Sequence, residues 1–234
     1  MAHQVYPHGG IEPLAEGLWL VKGGLPFPLR RNMAVFRLAD GRLVLHSPVA
    51  LDDAGLKALE GLGRVAFAIV PSRSHTMDAS FYRQRYPGVA VVAPAAIREQ
   101  VRVKAPTDAS AEEMLPPLGF VLHAVPGLKS PEYVYEVPLA GGGRALIVND
   151  AFANANAYDS SRLLGRLVVR RMGVPGDEPA VPRIVRWLSV SDLAALKRFA
   201  GTLAAIPDLR IITFSHGDPV TRDPAGALRA IAAG

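Results

Sequence analysis

The stretch Val65-Ala-Phe-Ala-Ile-Val-Pro-Ser-Arg-Ser-His75-Thr-Met-Asp78 decides the architecture of the chain. From Val65 to Val70 the run is unbroken and apolar, of the length expected for a strand buried on both faces. Pro71 stops the ladder because it has no N–H to donate. In open α/β sheets the groups that do chemistry sit just beyond the carboxyl ends of the strands. Ser72, Ser74, His75 and Asp78 crowd that place here.

Working outward, Leu51 to Leu62 carries apolar residues at 51, 56, 59 and 62 with Asp52 and Asp53 at its start, which predicts an amphipathic helix feeding the strand. Beyond His75, Ala79 to Tyr86 reads as a short helix stopped by Pro87-Gly88, and Val89 to Ala93 as the next buried strand, ended by Pro94. The strand–helix–strand order predicts parallel neighbours. Earlier in the chain, Leu18 to Lys22 and Met33 to Leu38 are β-type runs separated by a loop rich in Gly and Pro. Ala39-Asp-Gly-Arg42 then predicts a hairpin turn into Leu43 to His46.

After Leu118 the pattern changes to strands without helices between them: Phe120 to Ala124, Glu132 to Val137, and Arg144 to Val148 after the Gly141-Gly-Gly143 turn. These predict a second sheet, or half of one. From Asn154 to Leu188, Leu163, Leu164, Leu167 and Val168 share one helical face and Arg162, Arg166 and Arg170 the other, until Gly173-Val-Pro-Gly breaks the pattern. A surface helix hairpin, a lid and a dimer contact are the alternatives. Ser191-Asp192 caps a helix to Ala205, Leu209 to Phe214 is a last strand, and Asp223 to Ala233 a closing helix.

A chain of 234 residues, 50% of them hydrophobic, can bury one large core. The expectation is a single domain over residues 1–234 with a helical insertion near residues 155–188. The sequence contains no cysteine, so disulfides, thiolate zinc sites and cysteine nucleophiles are excluded, and any metal must be held by His and carboxylate. No apolar run approaches the roughly 18–20 residues of a membrane span, and Met-Ala-His-Gln-Val lacks the layout of a signal peptide. A soluble, cytoplasmic protein with no membrane partner is expected. The net charge of +5 is modest and fits a balanced surface with excess Arg, so nucleic acid is not expected as a partner. There is no G-x-S-x-G run for a serine hydrolase, and Gly141-Gly-Gly143 lies between β runs instead of opening a phosphate-binding helix.

Four polar positions each come directly after a buried strand: His46-Ser47, His75 with Asp78, Asn149-Asp150, and Ser215-His216-Gly217-Asp218. His and Asp at the ends of different strands can converge, which is how a cysteine-free chain assembles a metal or acid–base site. A hydrogen-bonded polar cluster without metal is the alternative.

The order of His-bearing turn, βα unit, Val125-Pro-Gly127, Val148-Asn-Asp150 and Ser215-His216-Gly217-Asp-Pro resembles the metallo-β-lactamase fold superfamily. More narrowly, Leu45-His-Ser-Pro48, Leu62-Gly63, Ile69-Val-Pro71 with His75, and Val148-Asn-Asp150 resemble a branch of it, found mainly in bacteria, that is classed as a domain of unknown function. The resemblance implies an α/β fold, a four-layer αββα sandwich. The superfamily's first motif has the form H-x-H-x-D-H, and its counterpart here, Ser-Arg-Ser-His75-Thr-Met-Asp78, keeps one histidine. Its next histidine comes after a Pro-Gly, where this chain has Leu128, and His123 on the preceding strand is a poor substitute.

The resemblance therefore implies a degenerate ligand set of His75, Asp150 and His216, with Asp78 as a fourth. Asp78 and Asp150 are the candidate catalytic groups, and His46, Ser72, Ser74 and Asn149 candidate pocket residues. One zinc or other divalent metal is expected, or none, because Ser72 or Ser74 and Leu128 stand where the superfamily places imidazoles. The implied function is metal-dependent, hydrolase-like chemistry on a small-molecule substrate, with a homodimer as an option. The alternative is a metal-free binding or scaffold protein that keeps the fold.

Overall fold

The computed structural model of the chain describes residues 3–26, 30–154 and 178–234. It forms two compact units, one built from residues up to Phe120, the other from Val121 onward together with Arg30.

The first unit is a sheet whose strands lie in chain order: β1 (His8–Ala15), β2 (Leu18–Gly23), β3 (Arg31–Arg37), β4 (Arg42–His46), β5 (Arg64–Ile69), β6 (Ala90–Ala93) and β7 (Ala109–Ser110). Pairing is antiparallel from β1 to β4 and parallel from β4 to β7. Every residue of β5 after Arg64 is buried, as the apolar run predicts. Parallel pairing needs crossovers, and the first two of the three are α1 (Asp53–Leu62) and α2 (Ala79–Arg85). Asp52 caps α1 by accepting the Gly55 N–H at 2.8 Å. Leu56 and Leu59 of α1 and Tyr82 of α2 join Val35, Leu45, Val65 and Val91 in one core, and the fully buried Tyr82 donates its hydroxyl to Val49 O at 2.7 Å. Two further short helices, α3 (Arg98–Arg102) and α4 (Ala111–Met114), come after β6 and β7.

β1 and β7 are additions to the expected strands. β1 contains Gly9, Gly10 and Pro13, which mask its alternation; it lies at the sheet edge with an irregular register, where proline is tolerated. β7 is too short for a periodic signal and runs straight into the capping box of Ser110 and Glu113 on α4.

The second unit is the predicted second sheet, in the order β11-β10-β9-β8: β8 (Val121–Ala124), β9 (Tyr133–Pro138), β10 (Arg144–Val148) and β11 (Leu209–Phe214). β8, β9 and β10 form an antiparallel meander, while β11 adds parallel to β10. Three helices accompany it among the described residues: α5 (Arg183–Leu188), α6 (Leu193–Ala204) and α7 (Pro224–Ala233). Leu196, Ala200 and Leu203 of α6 and Leu228 and Ile231 of α7 pack with Val134, Leu146, Val148, Ile212 and Phe214. Of the expected Ser191-Asp192 pair it is Asp192 that caps α6, and Asp223 caps α7. The Leu- and Arg-faced helix expected at 162–170 lies outside the described residues. No helix among the described residues is long and apolar enough to cross a membrane.

Candidate metal centre

In the second unit, parallel pairing aligns Val148 of β10 with Phe214 of β11, and the Ser215 N–H donates to Val148 O at 2.9 Å. Asp150 and His216 therefore stand at the same offset past adjacent, aligned strand ends. His216 Nε2 lies 3.4 Å from Asp150 Oδ1. The His216 ring is oriented from its other side, where Nδ1 is 2.7 Å from Arg30 O. A carbonyl can only accept, so Nδ1 carries the proton and Nε2 of the neutral ring keeps its lone pair. Lone pair and carboxylate oxygen at that separation repel each other unless a cation, either a proton or a metal ion, lies with them. The His216 and Asp150 side chains are partly exposed, at 16% and 28%, so an ion can reach them from solvent. The loop beyond is pinned by Asn154, whose N–H donates to His216 O at 3.2 Å and whose side-chain amide donates to Asp218 O at 2.9 Å.

Asn149 is fully buried and does not line an open pocket; its Nδ2 donates to Glu132 Oε2 at 3.2 Å. Glu132 is a site residue that the sequence reading missed. Burial, and after it the negative charge of Asp150, push its carboxyl up to about 8, against the opposing pull of the N–H groups it accepts. The folded state thus holds a proton more tightly than the unfolded chain. This contribution to stability is present at low pH and is lost as pH rises through that raised value. In the presence of a chelator, the melting temperature of Glu132→Gln relative to wild type should climb between about pH 5 and about pH 8 and level off above that, because in this window only the wild type releases a proton on unfolding. An offset that stays flat across the range would contradict this assignment.

In the first unit, His46 ends β4 and is buried, and Ser47 comes next with φ of 54°, in the left-handed region that serine rarely adopts. The Ser47 N–H is held by Ile69 O at 3.0 Å, and its Oγ lies 2.7 Å from His75 Nδ1. The contact orients the His75 ring but, unlike the Arg30 carbonyl, a hydroxyl can donate or accept; Nε2 keeps the lone pair that a metal requires in the tautomer whose Nδ1–H donates to Ser47 Oγ. Ser72 and Ser74 are turn residues: their hydroxyls bond each other at 2.9 Å, and Ser72 O accepts the His75 N–H at 3.2 Å.

Asp78 corrects the sequence reading. It is 1% exposed and forms an ion pair with Arg31; it also accepts the Ala50 N–H at 2.7 Å and faces His3 Nε2 at 2.8 Å. Both oxygens are engaged inside the first unit, so the expected roles of fourth ligand and catalytic acid–base give way to a structural one. Leu128 likewise serves packing. It bridges Val190 and lies against the second unit's core. The preceding Gly127 has φ of 75°, and a Cβ there would meet Asp192 O at 2.1 Å. Pro-Gly is thus kept for the close approach of this turn to the α6 cap. His123, the weak substitute, pairs with Glu136 at 2.7 Å on the neighbouring strand.

No family model matches the chain, and no curated protein matches it. Solved structures do. The metallo-β-lactamase FIM-1 from Pseudomonas aeruginosa, in a mono-zinc form, is 13% identical with a TM-score of 0.61, covering 99% of this chain and 96% of that one. The metallo-β-lactamase from Erythrobacter litoralis with β-mercaptoethanol in its active site is 17% identical, with a TM-score of 0.59 and 95% of each chain covered. DIM-1, exposed to ceftazidime, gives 11% identity, a TM-score of 0.64, and coverage of 98% and 99%. With two α/β units in this strand order and a likeness that runs the length of both chains, the protein has the metallo-β-lactamase fold, an αββα sandwich.

Proposed function

We propose that the protein is a hydrolase-like metalloprotein in which His75, Asp150 and His216 together hold one divalent metal ion, and that it acts on a small-molecule substrate. The observation that carries this reading is the second unit's own pair: an imidazole locked with its lone pair toward a carboxylate oxygen 3.4 Å away. Two imidazoles and a carboxylate are a donor set that suits zinc. Such an ion, when bound, supplies Lewis-acid polarisation of a substrate carbonyl or phosphoryl oxygen. The chain's own contribution is orientation. Ser47 and Arg30 hold the rings, and Asp150, partly exposed, offers the carboxylate that faces solvent. The mono-zinc form of FIM-1 offers a precedent within this fold for a single ion.

A second reading is supported by the same separation: a protonated His216 would pair with Asp150 directly, leaving a metal-free binding or scaffold protein. Metal analysis of untagged protein, dialysed against zinc, manganese or ferrous iron and then against metal-free buffer, separates the two. One ion per chain is expected. Two ions would refute the single-site proposal, and none would favour the second reading.

A further inference from the structure

Glu132 lies outside the proposed ligand set, yet its hydrogen bonds are organised around one ligand. Its Oε1 accepts the backbone N–H of Ala151 at 3.0 Å and its Oε2 the side-chain amide of Asn149 at 3.2 Å. These two donors are the residues on either side of Asp150. Glu132 is 6% exposed, and the turn it grips is equally sealed, with Asn149, Ala151 and Phe152 at 0%. Burying a carboxyl is costly, and it is offset here because Glu132 accepts from two buried donors that an apolar side chain would leave unpaired. What the carboxyl supplies that an apolar group cannot is directional hold on both flanks of Asp150.

We propose that Glu132 is a positioning residue for the metal centre: by clamping Asn149 and Ala151 it fixes the backbone from which Asp150 meets His216. The inference rests on the metal reading above. Groups that orient metal ligands from behind are worth about 10–100-fold in metal affinity.

Two variants separate positioning from mere packing. Glu132→Gln keeps a carbonyl oxygen for the Ala151 N–H and an amide that a turned Asn149 can meet, whereas Glu132→Met has similar bulk and no oxygen. Zinc affinity is measured on the untagged full chain by competition with a chromophoric chelator. Amide exchange at Asp150 and Ala151 is monitored by NMR in the metal-free protein, with melting temperature as the control for folding. Glu132→Met should weaken zinc about 10–100-fold and speed exchange at Ala151, and Glu132→Gln should restore most of both. Wild-type zinc affinity in a folded Glu132→Met protein would overturn the positioning role and leave the metal reading standing. A wild-type protein that binds no zinc would overturn both. If Glu132→Met does not fold, Asn149→Leu removes one arm of the clamp, and unchanged zinc affinity in that variant would equally overturn the proposal.

Discussion

Replacing Arg31 with methionine should destabilise the protein by about 3–5 kcal/mol, the cost of leaving a buried charge without its partner. Arg31 is 3% exposed and Asp78 1%. The guanidinium donates to Asp78 and, at 3.1 Å, to Pro48 O, so it ties the start of β3 both to the turn after β4 and to the residue that precedes α2. Removing it leaves the Asp78 carboxylate with the Ala50 N–H and His3. The double variant Arg31→Met with Asp78→Leu should recover much of the loss, because replacing both members of a buried pair is far cheaper than removing one. Urea denaturation measures both. A single-variant loss below about 1 kcal/mol, the value of an exposed pair, would show that the pair is not the anchor described here. Arg31→Met should also leave metal stoichiometry unchanged in the folded protein, since Asp78 serves the first unit's structure and not the proposed ligand set.

The second large effect concerns Asp150. Asp150→Asn should lower zinc affinity beyond the roughly 10–100-fold that an outer-shell change produces, because a charged oxygen ligand is lost outright. The fold should survive, since the side chain is 28% exposed and the change nearly preserves volume. Isothermal titration of zinc into wild type and variant, with thermal melts alongside, gives both numbers. An unchanged zinc affinity would remove Asp150 from the ligand set. A variant that binds no zinc and also fails to fold would instead make Asp150 a structural residue.

Those parts of the molecule whose signal is local were legible in the sequence. β5 announces itself because a strand buried on both faces is apolar at every position. Asp52, Asp192 and Asp223 mark helix starts because a cap acts within its own turn. Asp150 and His216 were found for a related reason: each stands just past an apolar run, and parallel pairing of two such runs aligns the residues immediately beyond them. Long-range partnerships were not legible. Asp78 looked like a ligand because its partner, Arg31, lies on β3, far back in the chain, and nothing local reveals the pairing. Glu132 looked like the first residue of a strand; only the folded turn of Asn149 to Ala151 shows that its carboxyl is buried and gripped. β1 was hidden by its glycines and proline, residues that an edge strand tolerates and a central one does not. The motif piece Pro126-Gly127 was recognisable, but its role in approaching the α6 cap became visible only when the missing Cβ was placed against Asp192.

The central claim is that three residues from distant parts of the chain serve one ion. Crystals of untagged protein grown with zinc, measured on both sides of the zinc absorption edge, test it directly. The account predicts one anomalous peak per chain, ligated by His75, Asp150 and His216 and by no other side chain. A second peak, a peak held by Asp78, or the absence of any peak while His216 bonds Asp150 directly would contradict it.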